Sequence, residues 1–112
     1  LLCAGKVAWE AVAERDKRGI TDVAVVRVER LAPLPLDDIH EALARYPESA
    51  QVAWLQEEPA NQGAWSFMLL NLSDKLGRSL QRVSREATSS PSVGSHKVHE
   101  VEQAALLDAA LA

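Results

Sequence analysis

Short apolar runs alternate along this chain with segments whose apolar residues recur at helical spacing. The predicted strands are residues 1–5, 22–28, 51–55 and 80–86. The predicted helices are residues 6–18, a segment bearing Leu36, Ile39 and Leu43, residues 65–76, and a final segment with Val101, Ala104, Leu107 and Leu111 on one stripe. Strands that alternate with helices in this way pair in parallel through right-handed crossovers. The order therefore predicts a parallel sheet with helices on both faces.

Particular residues predict how several of these elements begin, end and pack. The second strand is β-branched and almost continuously apolar, which predicts that both of its faces are covered. Asp37 or Asp38 supplies a negative start for the second helix, and Pro47 is expected to end it. The third helix is predicted to end at Gly77 and is the most clearly amphipathic. Its stripe is Trp65, Met68, Leu69, Leu72 and Leu76.

Length and composition indicate one folded domain spanning residues 1–112. The net charge of -4 is spread along the sequence, which argues against nucleic acid or a membrane surface as the partner. The single cysteine, Cys3, lies in an apolar run and is expected to be a core residue in a reducing, cytoplasmic compartment. Because the chain opens inside such a run, we expect it to be part of a longer protein.

In an open parallel sheet, ligands bind at the carboxyl edge, where each strand runs into its following loop. The predicted loops at this edge are residues 4–6, 27–34, 56–64 and 85–95. Glu57 and Glu58 lie there as candidates for acid–base chemistry. Adjacent side chains usually diverge, so we favour a structural role, in which one carboxylate faces the next helix start and the other is solvated or pairs with an arginine.

The segment after these glutamates predicts a turn into a helix. Asn61 is expected to cap the helix, and Gly63 to allow a positive φ or a close backbone approach. Trp65 is expected to begin the buried stripe, and Trp54 to pack in the core or at a subunit boundary.

Lys6, Arg27 and Arg30 are three cations on neighbouring edge loops that could clamp a phosphate or a carboxylate. Ion pairing with Glu29, Glu57 or Glu58 is the simpler interpretation, and both remain open at this point. His96, Lys97 and His99 lack a further metal ligand, so no metal site is predicted, and Ser95 is expected to cap the last helix. The glycine patterns of nucleotide-binding loops and the serine elbow of hydrolases do not occur in the sequence, so no catalytic residue is assigned.

Four segments resemble one known family: "LLCAGKV", "VAVVRVERLAPLP", "WLQEEPANQGAWSF" and "SPSVGSHKVHEVEQAALLDAAL". In this order they are similar to the C-terminal domain of the thiamine diphosphate-dependent 2-oxoglutarate dehydrogenase E1 component, particularly of actinobacterial enzymes that also act as 2-oxoglutarate decarboxylases. The resemblance covers nearly the whole chain. It implies an α/β fold, specifically a three-layer α/β/α sandwich with a mostly parallel sheet, like the C-terminal domain of transketolase.

The resemblance also implies a function without catalytic residues in this chain. In the family, thiamine diphosphate and magnesium are bound by other domains, and the C-terminal domain supports a homodimer that works with other dehydrogenase complex components. Actinobacterial members are activated by acetyl-CoA bound partly in this region, which makes Lys6, Arg27 and Arg30 candidates for an acetyl-CoA site. The alternative hypothesis is an independent doubly wound module that binds an anionic ligand or a nucleotide.

Overall fold

The computed structural model describes residues 1–31, 33–87 and 96–112, and for His96 and Lys97 it describes the backbone alone. The strands are β1 (Leu2–Cys3), β2 (Val26–Arg27), β3 (Val52–Pro59) and β4 (Leu80–Arg85). The helices are α1 (Lys6–Lys17), α2 (Leu36–Leu43), α3 (Trp65–Asn71), α4 (Ser73–Leu76) and α5 (His96–Leu111). Residues 88–95 of the predicted loop over residues 85–95, with the predicted cap at Ser95, lie outside the described residues.

The described strands form one sheet in the order β2-β1-β3-β4, and all of their pairings are parallel. On one face, a buried cluster joins β1 and β3 to α1 and α5 through residues such as Cys3, Leu55 and Leu107. On the other face, Trp54 and Met68 belong to a second cluster, which joins the sheet to α2, α3 and α4. Side chains of successive strand residues point to opposite faces, so Leu2 and Cys3 enter different clusters. The predicted parallel three-layer α/β/α architecture is confirmed.

The prediction of a seven-residue second strand covered on both faces is wrong. β2 is two residues long and lies at the edge of the sheet. Its ladder is short because its neighbour β1 offers little partner backbone: the amide N of Val26 donates to Leu1 O and that of Val28 to Cys3 O, each at 2.7 Å. The apolar residues before β2 instead pack as partly buried side chains against the first cluster.

Several helix boundaries also differ from those predicted. α2 ends at Leu43, well before Pro47. The predicted third helix is two helices, because the chain departs from regular α-helix at Leu72, where φ is -111° and ψ is -38°. Gly77, in the left-handed conformation, ends the second of them as predicted.

The buried stripes of the third and last predicted helices contain errors. Met68 and Leu72 are fully buried as expected, whereas Leu69 is 44% exposed. In α5 the buried face includes Leu106, Leu107, Ala110 and Leu111, while Val101 is 64% exposed and Ala104 is also exposed. The predicted stripe is therefore confirmed at Leu107 and Leu111 and wrong at Val101 and Ala104, and the buried face also includes Leu106 and Ala110.

Candidate functional site

The carboxyl ends of the described strands share one edge of the sheet, since all of them run in parallel. β1 leads through Gly5, at a φ of 74°, directly into α1, which begins at Lys6. β3 runs farther than predicted, to Pro59, so Glu57 and Glu58 are strand residues and not part of the corner. β4 continues alongside, with Pro59 paired to Arg85 after a register irregularity. Proline is tolerated there because β1 has already ended and β3 has one neighbour.

Glu57 lies in a polar cluster that connects β3 to α1 and α5. Its Oε1 accepts a hydrogen bond from Gln103 Nε2 at 3.0 Å, and the same Gln103 nitrogen donates to Glu10 Oε2 at 2.6 Å. Lys6 Nζ lies 3.1 Å from Glu10 Oε1 and 3.8 Å from Glu57 Oε1. The hydrogen bond to Glu10, with the charge of Glu57, raises the pKa of Lys6 and keeps it protonated. Glu57 is therefore held by a lysine and an amide, and its pair with Lys6 is one of those that the simpler interpretation anticipated, so the structural interpretation fits these contacts.

Arg85 makes a further connection between β3 and α5 at this edge. Its Nε donates to the backbone oxygen of Glu57 at 3.0 Å, and its Nη1 donates to Glu102 Oε2 at 2.9 Å. One arginine thus joins the end of β3 to α5, and it reinforces the connection that Gln103 makes.

Glu58 is exposed, and its side chain lies against Gly63. Gly63 has a φ of 65°, and a Cβ added there would lie 2.9 Å from Glu58 Oε2. The predicted positive φ and the predicted close approach at Gly63 are both confirmed. The prediction that Asn61 caps the next helix is wrong: α3 begins at Trp65, and the capping position is held by Ala64, whose methyl group accepts no hydrogen bond. The turn at Gly63 separates Asn61 from the helix start.

Replacing Gly63 with alanine is expected to lower the free energy of unfolding by about 1–3 kcal/mol, because the backbone of an alanine must adopt the left-handed conformation and its methyl group must displace Glu58. Urea denaturation of the chain measures this change. Gly77→Ala is the matched control: Gly77 has a φ of 69°, but nothing lies within 4 Å of an added Cβ. Gly63→Ala should cost more than Gly77→Ala, and Glu58→Ala should remove part of the excess, since it removes the Oε2 and Cδ contacts and keeps the Cβ at 3.1 Å. Equal losses at the two glycines would contradict the close contact.

Gln56, which the sequence reasoning did not single out, organises the loop after β3. The residue is 3% exposed. Its Oε1 accepts the indole N–H of Trp54 at 2.9 Å. Its Nε2 donates to the carbonyl oxygens of Glu58, Pro59 and Gln62 at 3.1, 3.0 and 2.8 Å. The sequence carried one indication of the Trp54–Gln56 hydrogen bond. The two residues are two positions apart, and residues two apart in a strand share a face.

Arg27 and Arg30 line a groove of about 340 Å³ between the end of β2 and the start of α2. The same groove is lined by two carboxylates, Glu29 and Asp38. Arg27 Nε lies 3.2 Å from Glu29 Oε1, and the Arg27 guanidinium stacks 4.4 Å from the centre of the Trp9 ring. This is the ion pairing that the simpler interpretation anticipated for Arg27.

The three predicted cations are divided between two places on the edge. Lys6 belongs to the Glu10–Glu57 cluster and does not line the groove that holds Arg27 and Arg30. α1 connects the two places, since Lys6 and Trp9 are both on this helix. Ligand binding by Lys6, Arg27 and Arg30 stays a prediction.

Other reactive groups are far from a catalytic arrangement. Cys3 is fully buried, and burial raises the pKa of its thiol to about 11, so it behaves as the predicted core residue. Within residues 1–31, 33–87 and 96–112, no three His, Cys, Asp or Glu side chains are grouped so that they could hold a metal ion. No helix in this part of the chain is long and apolar enough to cross a membrane. Trp54 is 2% exposed, and Trp65 packs against the second core cluster, in line with the expected burial.

The described residues form a parallel α/β/α domain whose carboxyl edge carries the Lys6–Glu10–Glu57 cluster and the groove of Arg27 and Arg30. Comparison with known families gives a match to "2-oxoglutarate dehydrogenase C-terminal" over residues 1–111. The chain belongs to this family.

Long curated relatives contain a closely similar region. The chain is 49% identical over 115 residues to a "Multifunctional 2-oxoglutarate metabolism enzyme" of Mycobacterium sp. (strain KMS), covering 100% of this chain and 9% of that protein. It is 48% identical over 113 residues to the protein of the same name from Mycolicibacterium vanbaalenii, covering 98% of this chain and 9% of that protein. The chain thus spans about a tenth of the length of these relatives, and the family resemblance in the four sequence segments is confirmed.

Proposed function

We propose that this domain is a non-catalytic C-terminal assembly and regulatory domain of a thiamine diphosphate-dependent enzyme that decarboxylates 2-oxoglutarate. The observation that carries the proposal is the family match over residues 1–111, together with relatives named for 2-oxoglutarate metabolism. Because the matched region is 9% of those relatives, a part within a longer enzyme is favoured over an independent binding module. The contacts of Glu57 with Lys6 and Gln103 support a structural role for this carboxylate.

Thiamine diphosphate and magnesium belong, in this proposal, to other domains of the enzyme. The residues that the structure describes do not fit a magnesium site, since they contain no suitable group of three His, Cys, Asp or Glu side chains. We therefore derive no chemical step in this domain. The proposed contribution of the domain is to support a homodimer that works with other dehydrogenase components.

We further propose that Arg27 and Arg30, with Lys6 nearby, bind acetyl-CoA as an activator. The groove has a volume in the range of small-molecule sites, about 340 Å³. The Arg27–Glu29 pair is exposed, at 42% and 55% of the two side chains, and such pairs contribute little stability, so a phosphate can replace Glu29 at small cost. Stacking on Trp9 holds the Arg27 guanidinium at the groove.

Changing Arg27 and Arg30 together to alanine in the full-length enzyme is expected to raise the acetyl-CoA concentration needed for half-maximal activation by about tenfold or more. Each charge-assisted hydrogen bond lost contributes roughly 1.5–3 kcal/mol. The measurement is the rate of 2-oxoglutarate turnover against acetyl-CoA concentration.

Two further variants serve as controls for this titration. Arg45→Ala combined with Lys75→Ala removes the same charge from exposed residues outside the groove and should leave activation unchanged. Glu29→Gln removes the competing carboxylate and should lower the concentration required. An unaltered activation curve in the Arg27→Ala, Arg30→Ala variant would overturn the assignment of this site.

A further inference from the structure

The outer side of α3 is apolar and uncharged although it faces solvent in this domain. Leu70 is 78% exposed and Leu69 is 44% exposed. The chain around them, residues 59–73, contains no Asp, Glu, Lys or Arg. Residues 59–73 are the longest run of the sequence without a charged residue, and Leu69 and Leu70 lie within it. We call Ser66, Leu69 and Leu70 the α3 outer face.

Helix geometry makes α3 apolar on opposite sides. Met68 and Leu72 are fully buried on the inner side. Leu70 is two positions from each, and at 3.6 residues per turn two positions rotate a side chain by about 200°. The exposed residues of α3 are Ser66, Leu69, Leu70 and Asn71, so its solvent side combines two leucines with two uncharged polar residues. α2 shows the contrast, because its Asp37, Asp38 and Glu41 give its outer side the charges that a solvated helix normally carries.

We propose that the α3 outer face is covered, in the full-length protein, by another region of the same polypeptide that presents an uncharged apolar surface. This inference rests on the proposed function, in that it takes the chain to be one domain of a longer enzyme. The chain corresponds to 9% of the length of its relatives, so this domain occurs in proteins with ample other chain to supply the contact.

The size of the face favours a contact within one polypeptide. α3 has seven residues, so at 1.5 Å per residue and a width near 10 Å its outer side offers on the order of 100 Å². A stable complex between separate molecules needs roughly 800 Å² from each partner. A tethered region needs far less area, because its effective concentration is in the millimolar range. A region of the same chain is therefore the occupant that this small face fits.

Cysteine labelling in the full-length enzyme tests this inference. Leu70→Cys is compared with Lys75→Cys, an exposed residue on α4, by measuring the rate of maleimide attachment under native conditions. The buried Cys3 is common to both variants. Coverage predicts labelling at residue 70 at least tenfold slower than at residue 75. Rates equal within twofold would overturn the inference.

A second variant separates a contact within the polypeptide from one between copies. Leu70→Asp should lower the thermal midpoint of the full-length protein while its native mass stays that of the wild type. A native mass reduced by half would mean that a second copy covers the face, which would also overturn the inference. Wild-type turnover of 2-oxoglutarate, measured on the same preparation, reports on the proposed function separately, so the two can fail independently.

Discussion

Gln56→Leu is expected to lower the free energy of unfolding by about 2–4 kcal/mol. Leucine has a similar volume and is apolar, so hydrophobic burial is retained and the loss comes from hydrogen bonding. The substitution leaves the buried indole N–H of Trp54 without its acceptor and removes the donor shared by the carbonyls of Glu58, Pro59 and Gln62. Each buried polar group left unsatisfied costs about 1–3 kcal/mol. Urea denaturation followed by far-ultraviolet circular dichroism measures the loss.

Two variants identify the source of this loss. Gln81→Leu makes the same change at an exposed position of β4 and should alter stability by less than about 0.5 kcal/mol. Trp54→Phe removes the indole donor, so combining it with Gln56→Leu should cost less than the sum of the single changes, by about 0.5–3 kcal/mol. Strict additivity would show that the Trp54–Gln56 hydrogen bond does not contribute.

Leu72→Ala is expected to lower the free energy of unfolding by about 2–5 kcal/mol, the range for removing a buried leucine side chain. Leu72 is fully buried in the core, with 0% solvent exposure, and lies where α3 ends and α4 begins. Its side chain belongs to the cluster that contains Trp54 and Met68. The substitution should therefore destabilise both α3 and α4. Urea denaturation of the same chain measures the change in the free energy of unfolding.

Val101→Ala is the control for this truncation. Val101 is 64% exposed on α5, so removing its methyl groups should change stability by less than about 0.5 kcal/mol. If Leu72→Ala is as mild as Val101→Ala, the α3–α4 junction is not anchored in the core as described.

The strand–helix order was predictable because each element carries its own periodic signal, but partners across the sheet decide where strands end. β2 is shorter than its apolar sequence indicates, since β1 pairs with it only through Leu2 and Cys3. β3 is longer than its apolar run, since β4 continues to pair beyond Leu55. The polar residues Gln56, Glu57 and Glu58 fit in a strand because each finds its own contacts: a buried amide network, a lysine–amide cluster and the backbone of Gly63.

The edge that carries the candidate site was predictable from topology, and the pairs of Arg27 with Glu29 and of Lys6 with Glu57 were among those anticipated, but the contacts with other elements were not. Lys6, Arg27 and Arg30 fall on the carboxyl edge as expected from the parallel order. Their partners depend on side chains from distant parts of the sequence, such as Gln103 on α5, and on Trp9 across α1. Gln56 was missed because its role depends on three carbonyl groups that converge only after the loop has folded.

The proposed function of this domain is to support and regulate a 2-oxoglutarate decarboxylating enzyme without supplying its catalytic groups. The most direct test is thiamine diphosphate-dependent release of carbon dioxide from 2-oxoglutarate by the full-length protein and by its Glu57→Gln, Glu58→Gln variant, with native mass checked for both. Wild-type turnover with a variant kcat within about threefold is the predicted result, since the amide oxygen of a glutamine at residue 57 can still accept the hydrogen bond from Gln103. A loss of a hundredfold or more in a correctly assembled variant, or no turnover by the wild type, would contradict the account.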